Sequence, residues 1–248
     1  MHKVISTDGT AIAYDRVGTG PSVILIGGAF SYRAFPKTVE LAELLSEHFT
    51  VINYDRRGRG DSGDTPTYAV EREIEDLQAL IEVAGGSASL WGWSSGGVLA
   101  LRAAARGLNV EKIAVYEPPF VVDSKFPVPP HDFDVRLRRL VRTDRRGAAV
   151  RYFMTKGMGM PSIVVAAMRL TPMWSKLRAV AHTLPYDWAV IGGHHGRQAA
   201  PARGVGVRDS PDARSFRREE PGAAAQRRAG PRRCPGRRRT SRAEGPEP

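Results

Sequence analysis

From residue 193 onward the chain contains no Ile, Leu, Met, Trp or Tyr, and this break sets how much of it can build a core. Residues 193–248 hold fourteen Arg, no Lys and six acidic residues, so +8 of the net charge of +11 sits in the last 56 positions. Such a segment has too little apolar surface to offset the entropy of ordering it, and the sequence predicts a disordered basic tail there. The preceding 192 residues carry only +3 and enough apolar residues for one sizeable α/β core. A single Cys excludes a disulfide framework and a Cys-based zinc site. The stretch MHKVISTDGT lacks the apolar segment of a secretory signal, and the longest apolar run, Ile163 to Met168, is broken by Arg169. The expectation is a cytoplasmic protein with no membrane span.

Within 1–192, short apolar runs alternate with helical periodicity. Lys3–Ser6 and Ala11–Val17 read as strands joined at Asp8-Gly9, a hairpin signal. Ser22–Ile26 is a continuous apolar run, as in a buried central strand. Thr38–His48 has helical spacing and Thr50–Tyr54 reads as a strand. Val70–Val83 places Ile74, Leu77, Leu80 and Ile81 on one helix face. Ser89–Trp93, Gly96–Arg106 and Lys112–Tyr116 continue as strand, helix, strand. This alternation predicts an α/β fold with a mostly parallel sheet. Residues 118–133 are Pro-rich and loop-like, and 134–188 read as helices without a clear strand. The expected organisation is a core over 1–117, a helical cap region over 118–192 and the tail over 193–248.

Gly92-Trp93-Ser94-Ser95-Gly96 fits the pattern G-x-S-x-G between a strand and a small-residue helix. A sharp turn at that place forces its middle residue into a strained conformation, and small flanking residues let backbones approach. Asp55-Arg56-Arg57-Gly58-Arg59-Gly60-Asp61-Ser62 follows the strand ending at Tyr54, and Gly27-Gly28-Ala29-Phe30 follows the strand ending at Ile26. On these segments the chain resembles the α/β-hydrolase superfamily over about residues 3–192. The D-x-R-G-x-G-x-S loop is matched from Asp55 to Ser62, and the nucleophile elbow from Gly92 to Gly96. The resemblance implies that Ser94 is the nucleophile, with the backbone N–H groups of Ser95 and Ala29, or Phe30, as oxyanion donors. Family members often have His-Gly-X where this chain has Gly27-Gly28-Ala29. The Asp55 loop reads as shaping a turn. Met154, Met158, Met160, Met168 and Met173 either pack the cap helices or line an acyl pocket. Phe30, Tyr32 and Phe35 likewise divide between loop packing and substrate contact.

A serine nucleophile needs a base, and the base an orienting acid. The superfamily's chain order is Ser, then Asp or Glu, then His. Glu117, directly after the strand ending at Tyr116, is the candidate acid. None of His2, His48, His131, His182, His194 or His195 follows a recognisable strand, so no base is assigned. A frameshift would account for the missing part: shifted by one base, permissible codons for Pro201–Arg218 include a reading that ends V-P-T-L-V-V-S-G-G, a strand-like run. Without further strands, Lys112–Tyr116 would be an open sheet edge.

Three functions follow. The first is serine hydrolysis of an ester, amide or related acyl small molecule through an acyl-enzyme. The second is a non-catalytic hydrolase-like chain, frameshifted or a pseudoenzyme. The third is binding of nucleic acid or an anionic surface through the Arg tail; a tail with Phe216 as its only aromatic and no recognition motif gives no specific nucleic-acid partner. No cofactor is implied, because neither phosphate-binding nor dinucleotide-binding glycine patterns occur in the right setting. The oligomeric state is not encoded legibly.

Overall fold

Six strands form one sheet in the order β1-β2-β4-β3-β5-β6 in a computed structural model that describes residues 1–120 and 128–192. The strands are β1 (His2–Ile5), β2 (Ala11–Val17), β3 (Ser22–Ile26), β4 (Thr50–Tyr54), β5 (Ala88–Trp93) and β6 (Val110–Tyr116). β1 pairs antiparallel with β2 and β2 antiparallel with β4, while β3 pairs parallel with β4 and β5, and β5 with β6. The hairpin at Asp8-Gly9 forms, with Ile5 opposite Ala11 and Gly9 at φ 84°. The expected tail and its frameshifted strand lie outside the described residues.

β4 has both faces covered, and all five of its residues are buried. The helices α1 (Pro36–Leu45), α2 (Val70–Val83) and α3 (Ser95–Ala105) intervene between strands, as the alternation predicts. α2 turns Ile74, Leu77, Leu80 and Ile81 into the main core beside Ile24, Ile26, Ile52 and Leu99. Burying each such side chain contributes roughly 1.5–3 kcal/mol. α2 also buries Glu73 and Asp76, which an amphipathic pattern assigns to solvent; their partners decide the site described below. α1 starts two residues before the expected Thr38, because Pro36 presets the first turn, and stops at Ser46 instead of His48. There the Ser46 hydroxyl donates to the Glu43 carbonyl at 2.6 Å.

Beyond β6 the chain is helical: α4 (Phe133–Arg142), α5 (Arg146–Tyr152), a π turn at Phe153–Gly157, α6 (Ser162–Met168), α7 (Met173–Ala179), a 3-10 turn at Ala181–Thr183 and α8 (Leu184–Val190). These elements bury their own cluster, in which Phe133, Leu137, Val150, Leu177 and Trp188 surround Phe30 from the loop after β3. Phe133 stacks on Tyr152 and meets Trp188 at 4.4 Å between ring centroids. α8 joins the two parts, because Trp188 belongs to this cluster and Val190 to the main core. Met154 is buried in the cluster, and Met160 and Met168 pack against it, while Met158 and Met173 are exposed. Among the described residues β6 pairs only with β5, and its Val115 and Tyr116 are exposed. No described helix is long and apolar enough to cross a membrane.

Candidate active site

β5 runs directly into α3 through Ser94, and the backbone there bears the cost of the turn. Ser94 has φ 55° and ψ −124°, outside the regions that L-residues favour. Its carbonyl accepts the N–H of Gly97 at 3.0 Å, which starts α3, and its own N–H donates to the carbonyl of Tyr116 at 2.9 Å. Two glycines make this crossing possible. A Cβ on Gly96 would stand 2.1 Å from the Ile26 carbonyl oxygen, and one on Gly92 would stand 2.5 Å from that of Gly96. The Ser94 side chain is half-buried, and among the described residues nothing hydrogen-bonds to its hydroxyl. Strain of this kind costs about 1–3 kcal/mol. Ser94→Gly is therefore expected to raise stability by about 1 kcal/mol, after the extra flexibility of glycine in the unfolded chain is subtracted. A urea midpoint unchanged or lowered in this variant would show the strain to be absent.

The loop after β3 lies against the elbow. A Cβ on Gly28 would come within 2.9 Å of the Ser94 Cβ and 3.6 Å of its Oγ. Phe30 adopts φ 65° and sends its ring into the cluster of the helices after β6, edge-on to Phe153. Ala29 lies between these two residues, half-exposed. No described acceptor takes the N–H of Ala29 or of Ser95. Trp91 packs against the smaller cluster around Val23, Leu25 and Val51, whereas Trp93 meets Phe35. Glu117 follows the residue whose carbonyl holds the Ser94 N–H, has φ 49° and is exposed.

Behind the elbow lies a buried ionic network. The Asp55–Ser62 loop is tied by its own first and last residues: the Asp55 carboxylate accepts the N–H groups of Arg33 and Asp61, and the Ser62 hydroxyl donates to the Asp55 carbonyl. Arg56, Arg57 and Arg59 then point inward, each almost wholly buried. Arg57 grips Asp76 with two hydrogen bonds of 2.6 and 2.8 Å. Arg56 grips Glu73 with two of 2.6 Å and donates to Asp187 at 2.7 Å. Arg59 donates to the other oxygen of Asp187 at 2.6 Å and to the Gly28 carbonyl at 2.6 Å. Arg56 reaches the Gly27 carbonyl at 3.1 Å, and the Ser95 hydroxyl donates to Asp187 at 2.7 Å.

Burial alone would push the Asp187 carboxyl up. The charges of Arg59 and Arg56 and the Ser95 hydroxyl outweigh it and hold the group below the ordinary carboxylate value. Glu73 behaves alike: burial raises it, and Arg56 with the Tyr68 hydroxyl brings it below. Two guanidinium groups thus fix the loop after β3, the helix that begins at the elbow and α8.

Of the expected site residues, Ser94, Ser95 and Ala29 are brought together, and Glu117 sits at the same end of the sheet without a contact to the Ser94 hydroxyl. His2 stacks on Tyr14, and His48 and His131 are exposed. The Nδ1 of His182 is buried with no described partner. His194 and His195 lie outside the described residues. Sequence reasoning missed Asp187. A signal was present, since Asp187 is the only acid in the apolar run Leu184 to Val190 and a buried carboxylate requires a cation.

The α/β-hydrolase family profile matches residues 23–238. The chain belongs to the α/β-hydrolase family. It is 58% identical to an α/β hydrolase from Sphaerobacter thermophilus, with a TM-score of 0.73 over 77% of this chain and 74% of that one. It is 25% identical to a thermophilic esterase from Thermogutta terrifontis, with a TM-score of 0.51 over 76% and 69% of the two chains. Over 108 residues it is 32% identical to the serine hydrolase BPHL of Mus musculus, covering 41% of this chain. The chain spans 37% of the length of that curated relative and of its human counterpart.

Proposed function

We propose that Ser94 is the nucleophile of an acyl-transfer site that hydrolyses an ester, amide or related small-molecule substrate. The observation that carries this reading is the strained Ser94 between β5 and α3, held beside the N–H groups of Ser95 and Ala29, which no described acceptor takes. In this reading the Ser94 oxygen attacks the acyl carbon, and its proton passes to a base. The two amides stabilise the oxygen that becomes negative, and because the loops are already fixed they do so without reorganising. The leaving group takes the proton, and water then cleaves the acyl-enzyme. Glu117 is the acid in this scheme. The serine hydrolase and esterase relatives support the substrate class, with hydrolysis as the reaction.

A second reading rests on the same hydroxyl. Among the described residues no imidazole reaches it, which fits a hydrolase-like chain that lacks its base, through a frameshift or as a pseudoenzyme. Labelling with a fluorophosphonate, followed by mass spectrometry, tests the site. The expected result is one adduct on Ser94, absent in Ser94→Ala. Folded protein that takes no label overturns the nucleophile assignment. Turnover of p-nitrophenyl acetate separates the two readings: loss of turnover in Ser94→Ala supports the enzyme, and background turnover in both proteins supports the non-catalytic chain.

A further inference from the structure

On the cap, away from the loops around Ser94, lies a cavity of about 420 Å³ walled by Arg145, Arg146, Arg151, Arg169 and Arg178. One carboxylate, that of Asp144, shares the wall, so five positive charges, four of them on exposed residues, face one negative charge. That carboxylate is engaged by Arg146 at 2.8 Å. Among the described residues the other four guanidinium groups have no ion pair. Trp174, Gly147 and Ala148 complete the wall, and a Cβ on Gly147 would lie 3.7 Å from the indole ring and 3.8 Å from the Arg178 side chain.

Four guanidinium groups without an ion pair among the described residues line one concavity, and their summed charge attracts a ligand of opposite sign. The volume falls within the roughly 300–1,000 Å³ of small-molecule sites. The guanidinium fork matches a phosphate oxygen pair in two parallel hydrogen bonds, and Arg is weakly hydrated, so it gives up water readily. A single carboxylate would neutralise one of the charges, whereas a ligand with two or more phosphate groups neutralises most of them. Trp174 adds a flat apolar wall for an attached organic group.

We propose that this cap cavity binds a compound bearing two or more phosphate groups. The chemistry is shared by a soluble organic polyphosphate and by a phosphorylated lipid headgroup. The second source gains interest from Ile163 and Leu170, which are 76% and 91% exposed on the same stretch of chain as Arg169.

The test must separate the cavity from the fourteen arginines of residues 193–248. Binding of inorganic tripolyphosphate is measured by calorimetry on the full chain. Arg169→Glu/Arg178→Glu, in the cavity wall, is compared with Arg139→Glu/Arg142→Glu, on α4, which changes the net charge equally. The expected result is a loss of at least about tenfold in affinity for the first pair and less than about threefold for the second. Gly147→Leu, which adds volume to the wall without changing charge, is expected to weaken binding as well. Equal losses in the two charge-reversed proteins overturn the proposal, as does Gly147→Leu binding like the parent chain. Sedimentation with phosphatidylcholine vesicles, with and without phosphatidylinositol 4,5-bisphosphate, distinguishes the sources. Cavity-dependent binding to the phosphoinositide vesicles alone assigns a headgroup, and to tripolyphosphate alone a soluble ligand. Binding to neither overturns the site.

Discussion

Asp187→Ala is expected to destabilise the folded chain by about 3–5 kcal/mol, the loss typical of removing one partner from a buried ion pair. The substitution takes away little volume. What it leaves behind is Arg59 with no carboxylate, Arg56 with only Glu73, and the Ser95 hydroxyl without its acceptor. All three groups are out of reach of solvent. Urea denaturation of the variant against the parent chain measures the difference, and a loss below about 1 kcal/mol would mean that water or a rearranged acceptor reaches the guanidinium groups. The same charges set a pH dependence. Asp187 and Glu73 both have folded-state values held below their ordinary 3.8 and 4.5. Their stabilisation is therefore complete above those ordinary values and is lost as the pH falls through the lower folded ones. Asp76 works in the opposite sense: burial pushes its carboxyl up in spite of Arg57, so its charge costs stability once the pH rises through its folded value. Acid unfolding in Asp187→Ala should accordingly be shallower than in the parent chain.

Gly96→Ala is expected to cost about 3 kcal/mol or more, at the upper end of what overpacking does. The added methyl would sit 2.1 Å from the Ile26 carbonyl oxygen and 2.8 Å from that of Gly27. Both atoms are main chain, one within β3 and one in the loop that Arg56 and Arg59 hold, so neither can move away cheaply. The comparison is Gly107→Ala. Gly107 has φ 85° but nothing within 4 Å of a Cβ, so that change carries only the left-handed penalty of about 1–2 kcal/mol. Denaturant midpoints of the two variants give the answer. If Gly96→Ala is no worse than Gly107→Ala, the close crossing of α3 over β3 is looser than described.

The architecture was legible because both of its signals are local. Ser22–Ile26, Thr50–Tyr54 and Val70–Val83 are read at their true limits from apolar runs and helical spacing alone. The limits of α1 differ from those of the spacing by two or three residues because apolar spacing says nothing about where Pro36 presets the first turn. The turn at Ser94 is legible for a different reason: a strand, a five-residue pattern and a small-residue helix meet there. The Asp55 loop reads as a turn, and its carboxylate accepts the N–H groups of Arg33 and Asp61 as a turn requires. Its interior arginines were not legible. Arg56 meets Asp187 across 131 positions of chain, and no periodicity reports a pairing at that separation. Charge patterning assigns Glu73 and Asp76 to the solvent face of α2, because burial of an acid depends on a cation that only the tertiary fold supplies.

Arg59 also governs a direction. In a trans peptide unit the carbonyl of one residue and the N–H of the next point opposite ways in one plane. Arg59 holds the Gly28 carbonyl from the interior, and the Ser31 hydroxyl takes the same oxygen at 2.6 Å. With that oxygen anchored inward, the rigid plane leaves the Ala29 N–H one heading, outward from the interior. The Ser31 N–H also donates to that oxygen at 3.3 Å, so a peptide flip there would have to break hydrogen bonds from three donors at once. The aim of a small dipole at the protein's outer side is thus set by a buried cation on its inner side.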